Sequence, residues 1–201
     1  MKIYLLRHED RTQDATFFSP LTKLGLENAE ELSNILDKSG ITHIYSSPFI
    51  RTLQTVYPFA KKNNKKIKLE YGLCEIQHQD IIPKKSYQVR LPEYMAQLFN
   101  YDPNYTETIQ PEKLEYPEDE KSVLMRIKEV LKHVISIHGS TNDIILLVTH
   151  QIVCRTIMKI IKKFGVLKPS EEALNNYPKG GLTLVLDEMH WIFKPINWKE
   201  K

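Results

Sequence analysis

Five consecutive aliphatic residues, Ile144-Ile145-Leu146-Leu147-Val148, constrain this chain more than any other stretch. A short run without a polar residue suits a strand covered on both faces, as inside a parallel sheet. Parallel neighbours must be joined by crossovers, usually helices, and helical spacing lies on either side of the run. Val123, Ile127, Val130, Val134 and Ile137 recur at alternating steps before it, and Val153, Ile157, Ile160 and Phe164 do so after it.

The same alternation fills the N-terminal half. Residues 2–6 read as a buried strand, followed by a polar loop to Pro20. Thr22 looks like the N-cap of a helix carrying Leu26, Ala29, Leu32 and Leu36 and ended by Gly40. Residues 41–45, β-branched and aromatic, read as a second strand. Ser47-Pro48 then offers a serine cap with proline at the first helical position. That helix buries Leu53, Val56 and Ala60, and Pro58 should kink or end it. Residues 67–70 are a third strand candidate, and 182–186 with 191–193 a closing hairpin. Residues 76–118, with weak periodicity and many prolines and tyrosines, read as an insertion over one end of the sheet, with a helix near 92–100. The expectation is a three-layer α/β/α sandwich around a mostly parallel sheet. A chain of 201 residues supports one such domain, spanning 1–201, and hardly two.

Composition narrows the function classes. No apolar run is long enough to span a bilayer, and the apolar start at Met1–Leu6 gives way to Arg7-His8-Glu9-Asp10, too early for a signal-peptide core. No membrane association is expected. Cys74 and Cys154 sit in apolar stretches and read as free thiols in a reducing compartment, so a cytoplasmic location is expected. The net charge of +3 is mild. Its densest basic run, residues 61–66, lacks the interleaved aromatics of a nucleic-acid surface and reads as a solvated turn.

In parallel α/β sheets ligands bind beyond the carboxyl ends of the strands. Those ends carry Arg7-His8, Ser46-Ser47 with Arg51 one turn on, Thr149-His150, and Glu75 after the third strand. Two histidines, two arginines and a carboxylate suit phosphoryl chemistry. Imidazole is a nucleophile near neutral pH that can hold a phosphoryl group covalently. Guanidinium groups match phosphate oxygens and remain charged, and a carboxylic acid can protonate a leaving alkoxide and then activate water.

Ordered motifs then sharpen the reading. Leu5-Leu6-Arg7-His8, Ser19-Pro20-Leu21-Thr22, the block from Tyr45-Ser46-Ser47-Pro48 through Arg51 to Thr55, and Leu147-Val148-Thr149-His150 together resemble the histidine phosphatase superfamily, the phosphoglycerate-mutase-like group (branch 1). Arg126 and Asn176-Tyr177-Pro178 fit its later segments. The resemblance implies a phosphoglycerate-mutase-like fold and phosphatase activity through a phosphohistidine on His8. Arg7, Arg51 and His150 would bind the phosphoryl oxygens, joined by Arg11, and Glu75 would be the acid/base. It implies no metal and no cofactor. The substrate would be a small phosphorylated compound or a phosphoprotein.

This chain also departs from the pattern. Glu9 and Gln151 stand where glycine is usual, and Ile76-Gln77-His78-Gln79-Asp80 follows the acid where mutases continue differently. That favours a phosphatase. A phosphoglycerate-type mutase or bisphosphatase, an inactive phosphate-binding module, and a metal hydrolase using His8, Asp10, Glu75 and His150 remain as alternatives. His43, His133, His138 and His190 read as structural, and His78 stays open because it lies near the acid. Arg90 and Lys84-Lys85 read as solvated, with a substrate-attracting rim as the alternative. Met125 and Met158 read as core.

Overall fold

The computed structural model describes residues 1–82 and 89–199. Six strands form one sheet in the order β3-β2-β4-β1-β5-β6, with β1 at Lys2–Arg7, β2 at His43–Ser46, β3 at Ile67–Leu69, β4 at Ile144–Thr149, β5 at Leu182–Asp187 and β6 at His190–Ile196. The first four are mutually parallel. β5 pairs antiparallel with β1 and with β6, so β5 alone opposes the others. The helices are α1 (Lys23–Leu36), α2 (Ile50–Lys62), α3 (Glu93–Ala96), α4 (Glu120–His138), α5 (Gln151–Phe164) and α6 (Glu171–Asn175). The expected mixed α/β fold with a mostly parallel sheet is what the chain adopts. No described helix is long and apolar enough to cross a membrane.

The core is built around the aliphatic run. β4 lies between β1 and β2, and Leu5, Leu6, Leu146 and Leu147 are fully buried. Each such side chain contributes about 1.5–3 kcal/mol through removal from water. The α1 start follows its cap: the Thr22 side chain accepts from the Gly25 N–H at 3.1 Å. Gly40 takes the left-handed conformation expected of a helix terminator. Cys74 and Cys154 are free and buried, as expected.

Several local expectations are corrected. Helix α2 begins at Ile50 after Phe49, so Ser47-Pro48 precedes the helix and does not cap it. Pro58 does not end α2, which continues to Lys62. It shares a partly exposed stripe with Gln54 and Tyr57, where water can satisfy the carbonyl that proline leaves without an N–H. Ile137 and Phe164 are exposed, as is Met125. The buried face of α4 ends instead on Val134 and His138, because the last turn rotates the next four-residue step, not the three-residue step, toward the sheet. Helix α6 is an addition the periodicity did not announce.

Described residues of the 76–118 segment lie along the edge strand β3. Asn100 and Asp102 hydrogen-bond to the backbone of Ile67 on the edge strand β3. Buried Glu70 gathers the segment: its carboxylate accepts from the N–H groups of Gly72, Thr108 and Ile109 and from the Tyr105 hydroxyl. Lys84 and Lys85 lie outside the described residues.

Candidate active site

Sheet register decides which side chains meet. Arg7 on β1 stands beside Thr149 on β4, and Ser46 on β2 beside Val148. The ladder runs one step further, with His8 N–H donating to the Thr149 carbonyl at 3.0 Å and Ser47 N–H to the Val148 carbonyl at 3.0 Å. His8, Ser47 and His150 therefore emerge at one level beyond the strand ends. The His8 and His150 rings meet edge to face, 5.2 Å between centroids.

A cavity of about 180 Å³ opens there, lined by Arg7, His8, Arg11, Ala15, Arg51, Glu75, Ile81, Gln151 and Ile152. Five of the six candidates line it directly. The sixth, His150, forms a fully buried wall behind His8.

His8 is held by its own chain. Its Nδ1 lies 2.7 Å from the Glu9 carbonyl. A carbonyl can only accept, so Nδ1 carries the proton and Nε2 keeps a free lone pair. Burial and the adjacent Arg51 charge push the His8 pKa well below the ordinary histidine range, and the same two causes act on His150. Both rings are neutral at pH 7. The Ser47 hydroxyl sits 2.8 Å from His150 Nε2. With Ser47 donating there, the proton of neutral His150 resides on Nδ1, which has no protein partner among the described residues.

The arginines are anchored at one end and unsatisfied at the other. Arg7 Nη1 donates to the Tyr177 carbonyl at 2.5 Å, and the Tyr177 hydroxyl is fixed to Leu5 O and Thr183 Oγ1. Arg51 leaves the first turn of α2, donates to the Thr16 carbonyl at 2.7 Å and stacks over Phe49. Burial lowers both guanidinium pKa values, Arg51 to about 10, so each stays charged at neutral pH. Arg7 Nε and Arg51 Nε are buried with no hydrogen-bond partner among the described residues. Orphaned buried donors are costly, and anionic oxygens would satisfy them.

Glu75 is placed by the segment before it. Thr149 Oγ1 holds the Leu73 carbonyl at 2.6 Å, and buried Arg126, paired to Glu118, holds the Gly72 carbonyl at 2.6 Å. The Glu75 carboxylate accepts from the N–H of Ile76 and, at the start of α5, of Ile152. Those donors and Arg51 favour the anion, yet burial outweighs them and raises the Glu75 pKa above the usual carboxylate range.

Other sequence candidates lie elsewhere. Arg90 is held by Glu107 and Glu112 on the surface, and His78 pairs with Asp80. His138 is buried between the Tyr45 hydroxyl and Asp143. His8, Asp10, Glu75 and His150 form no ligand cluster. Among the described residues the one group with metal-ligand spacing is His43, His138 and Asp143, near the amino ends of β2 and β4. Sequence reasoning missed Ile81 and Ile152, which line the cavity without a motif, and Lys179. Lys179 lines an adjoining cavity with Arg7, His8, Arg11 and Gln13 and pairs with Asp10.

The family model described as histidine phosphatase superfamily (branch 1) matches residues 3–194. The chain belongs to that superfamily. Solved structures of similar fold include the ecdysone phosphate phosphatase of Bombix mori, 16% identical with a TM-score of 0.69, the match covering 98% of this chain and 92% of that one. Bacillus stearothermophilus YhfR is 21% identical with a TM-score of 0.66, covering 96% and 94%. A phosphoserine phosphatase from Entamoeba histolytica, with phosphoserine bound, is 20% identical with a TM-score of 0.62, covering 98% of each chain. No curated protein matches this chain significantly in sequence.

Proposed function

We propose that this chain is a phosphoric monoester hydrolase working through a phosphohistidine. The observation that carries the reading is the bond from His8 Nδ1 to the Glu9 carbonyl, which frees Nε2 beside Arg7 and buried Arg51. Nε2 attacks phosphorus while the ester oxygen leaves with a proton from Glu75. Water then attacks the phosphohistidine and returns a proton to Glu75, releasing inorganic phosphate. Arg7, Arg51, Arg11 and His150 Nδ1 hold the phosphoryl oxygens and the charge that spreads over them in the transition state. The positive charge comes from guanidinium groups, so no metal or cofactor is required. The ecdysone phosphate and phosphoserine phosphatases above support a phosphatase over a mutase. The walls made by Ala15, Ile81 and Ile152 favour a small ester with an apolar part. The free buried thiols of Cys74 and Cys154 favour a cytoplasmic enzyme.

A phosphoester panel tests this. Sugar phosphates, nucleotides, phosphoglycerates, phosphoserine and phosphotyrosine peptides should yield inorganic phosphate from at least one class. Exhaustive chelation should leave the rate unchanged, and vanadate should inhibit. Loss of activity in chelator that a divalent ion restores would overturn the metal-free mechanism. Transfer between phosphoglycerates without net phosphate release would replace the hydrolase by a mutase.

The pKa shifts set the pH dependence. Attack needs neutral His8, whose lowered pKa keeps it neutral below 6.5, its ordinary value. Protonation of the leaving group needs neutral Glu75, whose raised pKa keeps its proton above 4.5, the ordinary value. Both shifts widen the productive window on the acid side of neutrality. kcat/KM is expected to show no acid limb near pH 6.5 and to fall on the alkaline side as Glu75 ionises. Stability has the opposite sense. The unfolded histidines take up protons near 6.5 and the folded ones resist, so stability is full above that pH and declines below it. An acid limb in kcat/KM centred near 6.5 would contradict this assignment.

A further inference from the structure

The residue after His8 is a glutamate with 0% exposure, one residue from a nucleophile that must meet an anion. A buried carboxylate left uncompensated there would oppose phosphate binding and strain the loop. The chain answers it from its far end. Lys199 Nζ lies 2.7 Å from Glu9 Oε1 and 2.8 Å from Oε2, and it also donates to the Lys179 carbonyl at 2.9 Å. Asn28 on α1 donates to Oε2 at 3.1 Å.

Around this pair the backbone is fitted to it. Trp198 Nε1 donates to the Gly180 carbonyl at 2.9 Å, fixing the tail beside the loop. Gly180 has φ +65°, and a Cβ there would overlap the Glu9 carboxylate. Glycine at 180 thus makes room for glutamate at 9 and supplies a conformation other residues rarely adopt. The Gly180 N–H in turn donates to the His8 carbonyl at 3.1 Å. Glu9 donates its N–H to Thr55 Oγ1 at 3.0 Å and offers its carbonyl to His8 Nδ1 at 2.7 Å. The atom that orients the nucleophile therefore belongs to the residue Lys199 clamps. Asp10, the next carboxylate, is matched in the same way by Lys179 and Thr22.

We propose that Lys199 is a positioning residue for the phosphoryl site: it neutralises buried Glu9, keeping the cavity cationic, and fixes the Glu9 carbonyl that holds His8. The inference rests on His8 facing phosphate, as argued above. Its test is a charge-rescue cycle read by calorimetry with inorganic phosphate and by kcat and KM on p-nitrophenyl phosphate. Lys199→Met should weaken phosphate affinity and raise KM about tenfold, the direction expected when a buried carboxylate loses its partner. Lys199→Gln, which keeps a donor without the charge, is measured beside it so that a folding defect cannot mask the charge effect, and it should show the same weakening. Lys199→Arg should preserve affinity. Glu9→Gln combined with Lys199→Met should return phosphate affinity to within about twofold of wild type, a recovery that a merely structural tail contact would not give. Wild-type phosphate affinity with Lys199→Gln, or no recovery in the double variant, overturns the inference. Failure of the wild type itself to bind phosphate overturns the phosphatase reading and this inference together.

Discussion

His8→Ala is expected to abolish turnover, lowering kcat/KM by on the order of 10⁴-fold or more, because it deletes the atom that forms the covalent intermediate. The geometry argues for so large an effect. His150, the only other imidazole at the cavity among the described residues, is fully buried behind His8 and outside the cavity lining, with its Nε2 against the Ser47 hydroxyl. It cannot take over as nucleophile. Arg7, Arg51 and His150 are untouched by the substitution, so phosphate should still bind. Loss of kcat with phosphate affinity retained separates a missing nucleophile from a collapsed site. In the wild type, rapid quenching without acid after mixing with labelled substrate should trap an acid-labile phosphohistidine, which must vanish in the variant. A His8→Ala enzyme with near wild-type kcat, or label on another residue, would remove the mechanism.

Much of this arrangement was legible in the sequence, and the reason is local. An apolar run of strand length followed at once by a helical pattern fixes where a parallel strand ends, and strand ends are where ligands sit. His8, His150 and Arg51 are all within a few residues of such ends. Where residues meet only through tertiary packing, local patterns were silent or misleading. Ser47 looked like a helix cap because Ser-Pro is a strong local signal, but its hydroxyl is used by His150, 103 residues away. Lys199 carried no signal at all, since its partner Glu9 lies 190 residues off. Ile137 and Phe164 satisfy the helical period of their segments yet are exposed, and in the last turn of α4 it is His138, one residue beyond Ile137, that packs inward against Tyr45. Arg90 could have been a rim residue on sequence alone, and Glu107 and Glu112, neither adjacent to it in sequence, occupy it instead.

Glu75→Gln should slow alkyl phosphate esters by about 10²–10⁴-fold and p-nitrophenyl phosphate far less. An alkoxide is a poor leaving group unless it is protonated as it departs, whereas p-nitrophenolate leaves unaided, so the contrast isolates proton donation from general damage. Glu75 has the required properties. It lines the cavity with His8 and Arg51, and burial raises its pKa so that the neutral acid persists where a surface glutamate would be ionised. The two rivals beside the nucleophile are both committed elsewhere. Glu9 turns its carboxylate away to Lys199 and Asn28. Asp10 is bonded to Lys179 and Thr22, and those bonds hold its pKa below the ordinary value, which suits a permanent anion and not a proton donor. Glutamine at 75 keeps the size of the side chain and an oxygen for the Ile76 and Ile152 N–H groups, so the site should stay assembled and phosphate should bind with unchanged affinity. Equal slowing of both esters would mean that Glu75 only shapes the pocket. A selective loss in Asp10→Asn, with Glu75→Gln unaffected, would move the acid to the nucleophile's own loop.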